Sequence, residues 1–89
     1  MKIKFDHSFN KKVDKLKSKL VSNKLIKVIE QCEKAKSINE IPNIKKMVSY
    51  KSFYRIKISD FRIGIELIDY DTLLFITIAH RKDIYSKFP

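Results

Sequence analysis

Two stretches of apolar–polar alternation, separated by only two residues, constrain this chain more than any other feature. Phe53 to Ile58 sets Tyr54, Ile56 and Ile58 against Phe53, Arg55 and Lys57, and Phe61 to Ile68 sets Phe61, Ile63, Ile65 and Leu67 against Arg62, Gly64 and Glu66. A period of two marks a strand with one buried face, and a connection of Ser59 and Asp60 alone predicts a tight antiparallel hairpin. A turn over Asp69 to Asp71 leads into Leu73 to Ala79, apolar on both faces as a central strand is. Lys45 to Val48 is a candidate for one more short strand.

The first half begins with a strand and then changes period. Met1 to Phe5 alternates Lys2 and Lys4 with Ile3 and Phe5, whereas Phe9, Val13, Leu16 and Leu20 fall on one stripe of an amphipathic helix with Ser8 as its N-cap. Leu25, Val28, Ile29 and Cys32 form a second stripe, with Lys24, Lys27, Glu30 and Lys34 on the other side. Ser22 and Asn23 are the expected corner of an antiparallel helix pair. Ser37 to Asn43 reads as loop, with Pro42 ending any helical tendency. The pattern predicts an α+β fold: an N-terminal strand and a helix pair packed on one face of a small, mainly antiparallel sheet. At 89 residues the chain suits one domain spanning 1–89.

Charge is the remaining global constraint. Twenty Lys and Arg against ten Asp and Glu give +10, a balance that favours polyanions, either nucleic acid or an acidic protein. Residues 1–51 carry fourteen Lys and five acidic residues, while 52–89 carry six basic and five acidic ones. Yet Arg55, Arg62 and Arg81, the only arginines, all lie in the second half, where a planar bidentate cation is selected over Lys. The lone Cys32 makes no internal disulfide, the N-terminal residues lack the apolar core of a signal peptide, and no apolar run approaches a membrane span. The expected address is the cytoplasm, with no membrane partner. One Cys and two distant His give no metal-ligand spacing, and nothing calls for a small-molecule cofactor.

With the helices covering Ile56, Ile58, Ile63 and Ile65, the residues Arg55, Lys57, Arg62, Gly64 and Glu66 project to the opposite face. The last strand can add Thr77, Ala79 and Arg81 to that side, so all three arginines are expected to converge there with Lys57. Such a cluster suits a phosphodiester and the extra negative charge that develops at phosphorus during cleavage. Tyr85, four residues beyond Arg81, is placed to stack on a base or deliver a proton. A plainer reading stands beside each of these. Outer sheet faces are commonly just solvated, and Gly64 fits a bulge or bend as well as the close approach of a ligand. His80 alternates with Ile76 and Ile78 as a packed histidine would, the helix lysines suit a solvated face, and Cys32 lies on a core stripe.

Taken together, Tyr54-Arg55-Ile56-Lys57-Ile58, Asp60-Phe61-Arg62-Ile63 and Ala79-His80-Arg81-Lys82-Asp83-Ile84-Tyr85 resemble the RelE/ParE superfamily of type II toxins over nearly the whole chain. The resemblance implies a small sheet packed on two N-terminal helices and growth inhibition relieved by an acidic cognate antitoxin. RelE-like members enter the ribosomal A site and cut mRNA without a metal, whereas ParE-like members block DNA gyrase and lack the nuclease residues. This chain is more similar to the first branch. Its site residues are then Arg55, Lys57, Arg62, Arg81 and Tyr85, and its partners the antitoxin and the ribosome, with rRNA on the Lys-rich helices and A-site mRNA on the arginines.

By that resemblance, the 2′-hydroxyl of the mRNA attacks the adjacent phosphorus, leaving a cyclic phosphate and a free 5′-hydroxyl, with alignment supplied by binding. Arg62 would hold the phosphate, Arg81 assist the leaving 5′-oxygen, Tyr85 stack on the nucleotide, and Lys57 add charge or accept a proton. Arg55 departs from the family pattern, which has a lysine there, and a guanidinium is a poor proton acceptor. Relatives with a Glu before this strand face Pro42 and Asn43 here, which leaves Glu66 as a substitute base unless it pairs with Arg62. The alternatives are a ParE-like gyrase inhibitor without nuclease activity and a degenerate module that only binds antitoxin.

Overall fold

The hairpin anticipated from the alternation forms two adjacent strands inside the sheet. In the computed structural model, which describes residues 1–89, the elements run β1 (Lys2–Phe5), α1 (Phe9–Leu16), α2 (Lys19–Lys34), a 3-10 turn (Ile38–Glu40), β2 (Ile44–Lys46), β3 (Phe53–Ile58), β4 (Phe61–Asp69), β5 (Thr72–His80) and α3 (Ile84–Lys87). Five strands form one sheet in the order β1-β5-β4-β3-β2, antiparallel except for the parallel β1–β5 pair. Ser59, first of the two hairpin residues, takes a left-handed φ of 52°, which matches the twist that so short a connection must absorb.

Both helices lie on one face. Phe9 from α1 and Val21, Leu25, Val28 and Cys32 from α2 bury against Ile56, Ile58, Ile63, Ile65, Leu73, Phe75 and Ile78, and Phe9 meets Phe75 edge to face at 5.8 Å. Cys32 is fully buried in this layer, and desolvation pushes its thiol up to about 11. The Met1 ammonium donates to the carbonyl oxygens of Cys32, Glu33 and Ala35, placing positive charge at the C-terminal end of α2, where the helix dipole favours it.

The helix corner differs from the expected one. It lies at Lys17 and Ser18 rather than at Ser22 and Asn23: Lys17 is left-handed (φ 49°) and closes α1, and the Ser18 hydroxyl accepts from the Val21 N–H to start α2. A local cap outweighs continuation of the apolar stripe. Leu20 consequently falls on the first turn of α2 and is exposed, instead of completing the α1 stripe. Ser8 sits at the start of α1 without a side-chain cap; its hydroxyl bonds Asp6 instead.

The second difference concerns the face away from the helices, which is not open throughout. Met47, Ala79, Ile84 and Phe88 are buried together there, with Phe53 and Ile76 packed against them, because the C-terminal segment folds back across the sheet. A register shift makes this possible: Gly64 pairs with Thr77 but Ile65 with Phe75. Ile76 is therefore an extra residue that turns to the far face, and it does not share a side with Ile78 and His80 as simple alternation predicts.

Candidate functional site

Strand register builds the site in two cross-strand rows. Lys45 stands opposite Arg55, which stands opposite Gly64, and Lys57 stands opposite Arg62, which stands opposite Ala79. Lys45–Arg55 and Lys57–Arg62 are therefore like-charge pairs directly across the ladder, an arrangement that costs stability. No carboxylate relieves them, since the ion pairs in the chain are Lys2–Asp71 and His7–Asp6. Asn43, Lys45, Arg55, Lys57 and Arg62 line one open cavity of about 360 Å³ that contains no hydrophobic side chain.

Each cation is held differently. The Arg62 guanidinium donates to the carbonyl oxygens of Ser59 (3.1 Å) and Phe61 (2.9 Å), which ties it to the β3–β4 turn. Arg55 leans on the carbonyl of Lys46 and the sulfur of Met47, and its guanidinium carbon lies 5.3 Å from the centre of the Tyr85 ring. That cation–π contact fixes the guanidinium between the cavity and α3. Lys57 is exposed, and its backbone N–H donates to Asn43 O at 3.1 Å.

The structure thus gathers Arg55, Lys57 and Arg62 in one cavity and joins Tyr85 to it through Arg55. It does not bring Arg81 to the cavity wall. Arg81 lies exposed just beyond β5, anchored by its backbone N–H to Asp60 O at 2.8 Å, so the expected convergence of three arginines is in fact two plus a neighbour at the hairpin turn. Glu66 is excluded from the cluster. It pairs in register with Phe53, lies four residues or about 13 Å along the strand from Arg62, and is cut off by Phe88, which covers Gly64. Gly64 accommodates that ring beside the register shift rather than offering backbone to a ligand. His80 packs edge to face on Phe61 at 5.6 Å, as a structural histidine does.

Asn43 and Lys45 are site residues that the alternation did not reveal. β2 has only three residues, too few for a period of two to declare its inward and outward sides, so only pairing with β3 shows that Lys45 joins the cationic row.

The sequence and the fold have counterparts among known proteins. Residues 3–85 match the family described as the ParE toxin of type II toxin–antitoxin systems, parDE. Toxin RelE3 of Methanocaldococcus jannaschii is 43% identical over 63 residues, 70% of each chain. The crystal structure of a RelB–RelE antitoxin–toxin complex from Methanococcus jannaschii contains a chain 34% identical to this one, with a TM-score of 0.79 over 97% of this chain and 99% of that one.

Proposed function

The chain belongs to the RelE/ParE superfamily of type II toxin–antitoxin toxins, and from that premise we propose that it is a ribosome-dependent, metal-independent mRNA endoribonuclease acting in the cytoplasm. The observation that carries this reading is the pair of unrelieved like-charge rows, Lys45–Arg55 and Lys57–Arg62, facing one cavity. A fold that keeps four cations together without a carboxylate accepts a cost in stability, and a bound phosphodiester offsets it.

In this mechanism the RNA's own 2′-hydroxyl attacks the adjacent phosphorus and closes a 2′,3′-cyclic phosphate as the bond to the 5′-oxygen breaks, the 2′ proton being lost to water and the 5′-oxygen taking one up from water. Arg62, already oriented by the Ser59 and Phe61 carbonyls, holds a non-bridging phosphate oxygen and offsets charge developing at phosphorus. Arg55 presents a second guanidinium from the Tyr85 side. Lys57 lies across the ladder from Arg62 and adds its positive charge on the other side of the phosphate. Arg81 approaches the leaving 5′-oxygen from the hairpin end. With Glu66 remote and Arg55 a poor base, alignment by the ribosome supplies much of the acceleration, so free RNA is cleaved slowly.

The acidic cognate antitoxin is the second partner. The +10 charge suits an acidic, partly disordered chain, and the solved relative is itself an antitoxin–toxin complex.

Primer extension on a defined mRNA, with and without programmed ribosomes, tests the reading. Cuts in the A-site codon that require ribosomes and disappear in Arg62→Ala and Arg81→Ala are expected. Cuts that persist at the unmodified rate in both variants refute the assigned site. The match to the ParE toxin family favours a second reading, inhibition of DNA gyrase. Growth arrest without cuts, accompanied by loss of supercoiling activity, would establish that one instead.

A further inference from the structure

The cationic cavity does not end at the sheet. A second cavity of about 300 Å³ is lined by Lys24, Lys27, Val28, Asn43, Lys57, Ile58 and Ser59, and it shares Asn43 and Lys57 with the first. The reason is the shortness of β2. That edge strand covers β3 only from Tyr54 to Ile56, and beyond it the outer edge of β3 is met by Asn43, whose carbonyl accepts from the Lys57 N–H. The groove passes around this end of β2 from the cationic face to the surface of α2.

The far arm has the features of a nucleic-acid track. Lys24 and Lys27 lie three residues apart on α2 and therefore on one side of it, and no acidic residue lines either cavity. Lys24 Nζ is held 2.6 Å from the Ser59 hydroxyl, which fixes an ammonium at the groove wall. Val28 and Ile58 supply a small apolar floor.

We propose that single-stranded RNA occupies both arms: one phosphodiester lies against Arg55, Lys57 and Arg62, and the strand passes Asn43 to place a flanking phosphate on Lys24 and Lys27. These two lysines then read the mRNA strand rather than the ribosome. The proposal rests on the open face being an RNA site, but not on its cleavage chemistry.

The test uses a 2′-O-methyl RNA hexanucleotide and the matching dinucleotide, neither of which can be cut by 2′-hydroxyl attack. Binding is followed by anisotropy and by amide shifts over a salt series, in the unmodified chain, in Lys24→Gln/Lys27→Gln, and in Lys11→Gln/Lys15→Gln, which removes equal charge from α1. Loss of two phosphate contacts is expected to reduce the hexanucleotide's salt slope by about 1.4, at about 0.7 per contact for a single strand. The dinucleotide should be unaffected, as should the α1 variant with either ligand. An equal slope for all three proteins, or amide shifts on α2 produced only by an acidic peptide, overturns the groove. Ribosomal cleavage reports separately: a Lys24- and Lys27-dependent hexanucleotide affinity in a chain that makes no cuts upholds the groove and refutes the nuclease.

Discussion

The ring of Phe88 rests on the bare Cα of Gly64, where an added Cβ would lie 2.7 Å from the ring carbons. A side chain at position 64 and an aromatic ring at 88 are thus mutually exclusive in this packing. Gly64→Ala is expected to destabilise the fold by about 1–3 kcal/mol, as overpacking does, read as a lower urea midpoint at constant m-value. The partner variant decides the cause: added to Phe88→Ala, Gly64→Ala should cost little more. Additive costs would locate the penalty in the strand and not in the ring.

Much of the sheet was legible because its strands obey one rule each. β3 and β4 begin at Phe53 and Phe61, where the alternation begins, and the hairpin turn uses the two residues left between them. What stayed hidden depends on neighbours. The corner at Ser18 is a cap decision made by one hydroxyl, and the phase of Ile76 is set by a register shift in a paired strand. The covering of the far face by Ile84 and Phe88 is a long-range event with no period to announce it. For the same reason Arg55, Lys57 and Arg62 could be grouped from the sequence, whereas Lys45 and Asn43 emerge only through pairing with β3, and Arg81 lies past the end of the ladder.

Tyr85 discriminates between positioning and proton transfer. Its ring sits 5.3 Å from the Arg55 guanidinium, a contact that needs an aromatic face but no hydroxyl. Tyr85→Phe is therefore expected to leave cleavage essentially unchanged, while Tyr85→Leu frees Arg55 and loses about two- to thirtyfold, given a cation–π contact of about 0.5–2 kcal/mol and a factor of ten per 1.36 kcal/mol. Single-turnover rates on programmed ribosomes measure both. A large loss in Tyr85→Phe would make the hydroxyl the working group.

Antitoxin affinity should carry the signature of the unbalanced charge. A chain at +10 binding an acidic partner is screened by salt, since the Debye length falls from about 10 Å at 0.1 M to about 3 Å at 1 M. Calorimetry between those concentrations is expected to show affinity falling steadily. A flat series would mean that apolar burial alone holds the complex.

Alkaline pH probes the core through Cys32. Burial raises its thiol from 9.0 to about 11, so the folded chain holds this proton more tightly than the unfolded chain does. Its contribution is complete below pH 9 and is lost as pH rises from 9 to 11, by as much as about 2–3 kcal/mol at 1.36 kcal/mol per unit. Urea midpoints across that window should fall more steeply in the unmodified chain than in Cys32→Ala, whatever the latter's lower starting stability. Equal slopes would show the thiol to be free to ionise in place.

Finally, the two like-charge rows predict that function and stability trade against each other at Lys57. Its side chain stands across from Arg62, no carboxylate pairs with either, and none lines their cavity, so the pair repels wherever salt does not screen it. Lys57→Gln is expected to raise the unfolding free energy by about 0.2–1 kcal/mol in low salt, with the gain shrinking toward 1 M as screening removes the repulsion. The same substitution should slow ribosomal cleavage by about a hundredfold or more, the scale of losing one charge-stabilising group from a transition state. Paired denaturation and cleavage measurements on one variant check both halves. A Lys57→Gln protein that is less stable in low salt, or that cuts at full rate, would mean that this row is an ordinary solvated surface and that the cation cluster was not assembled for a phosphate.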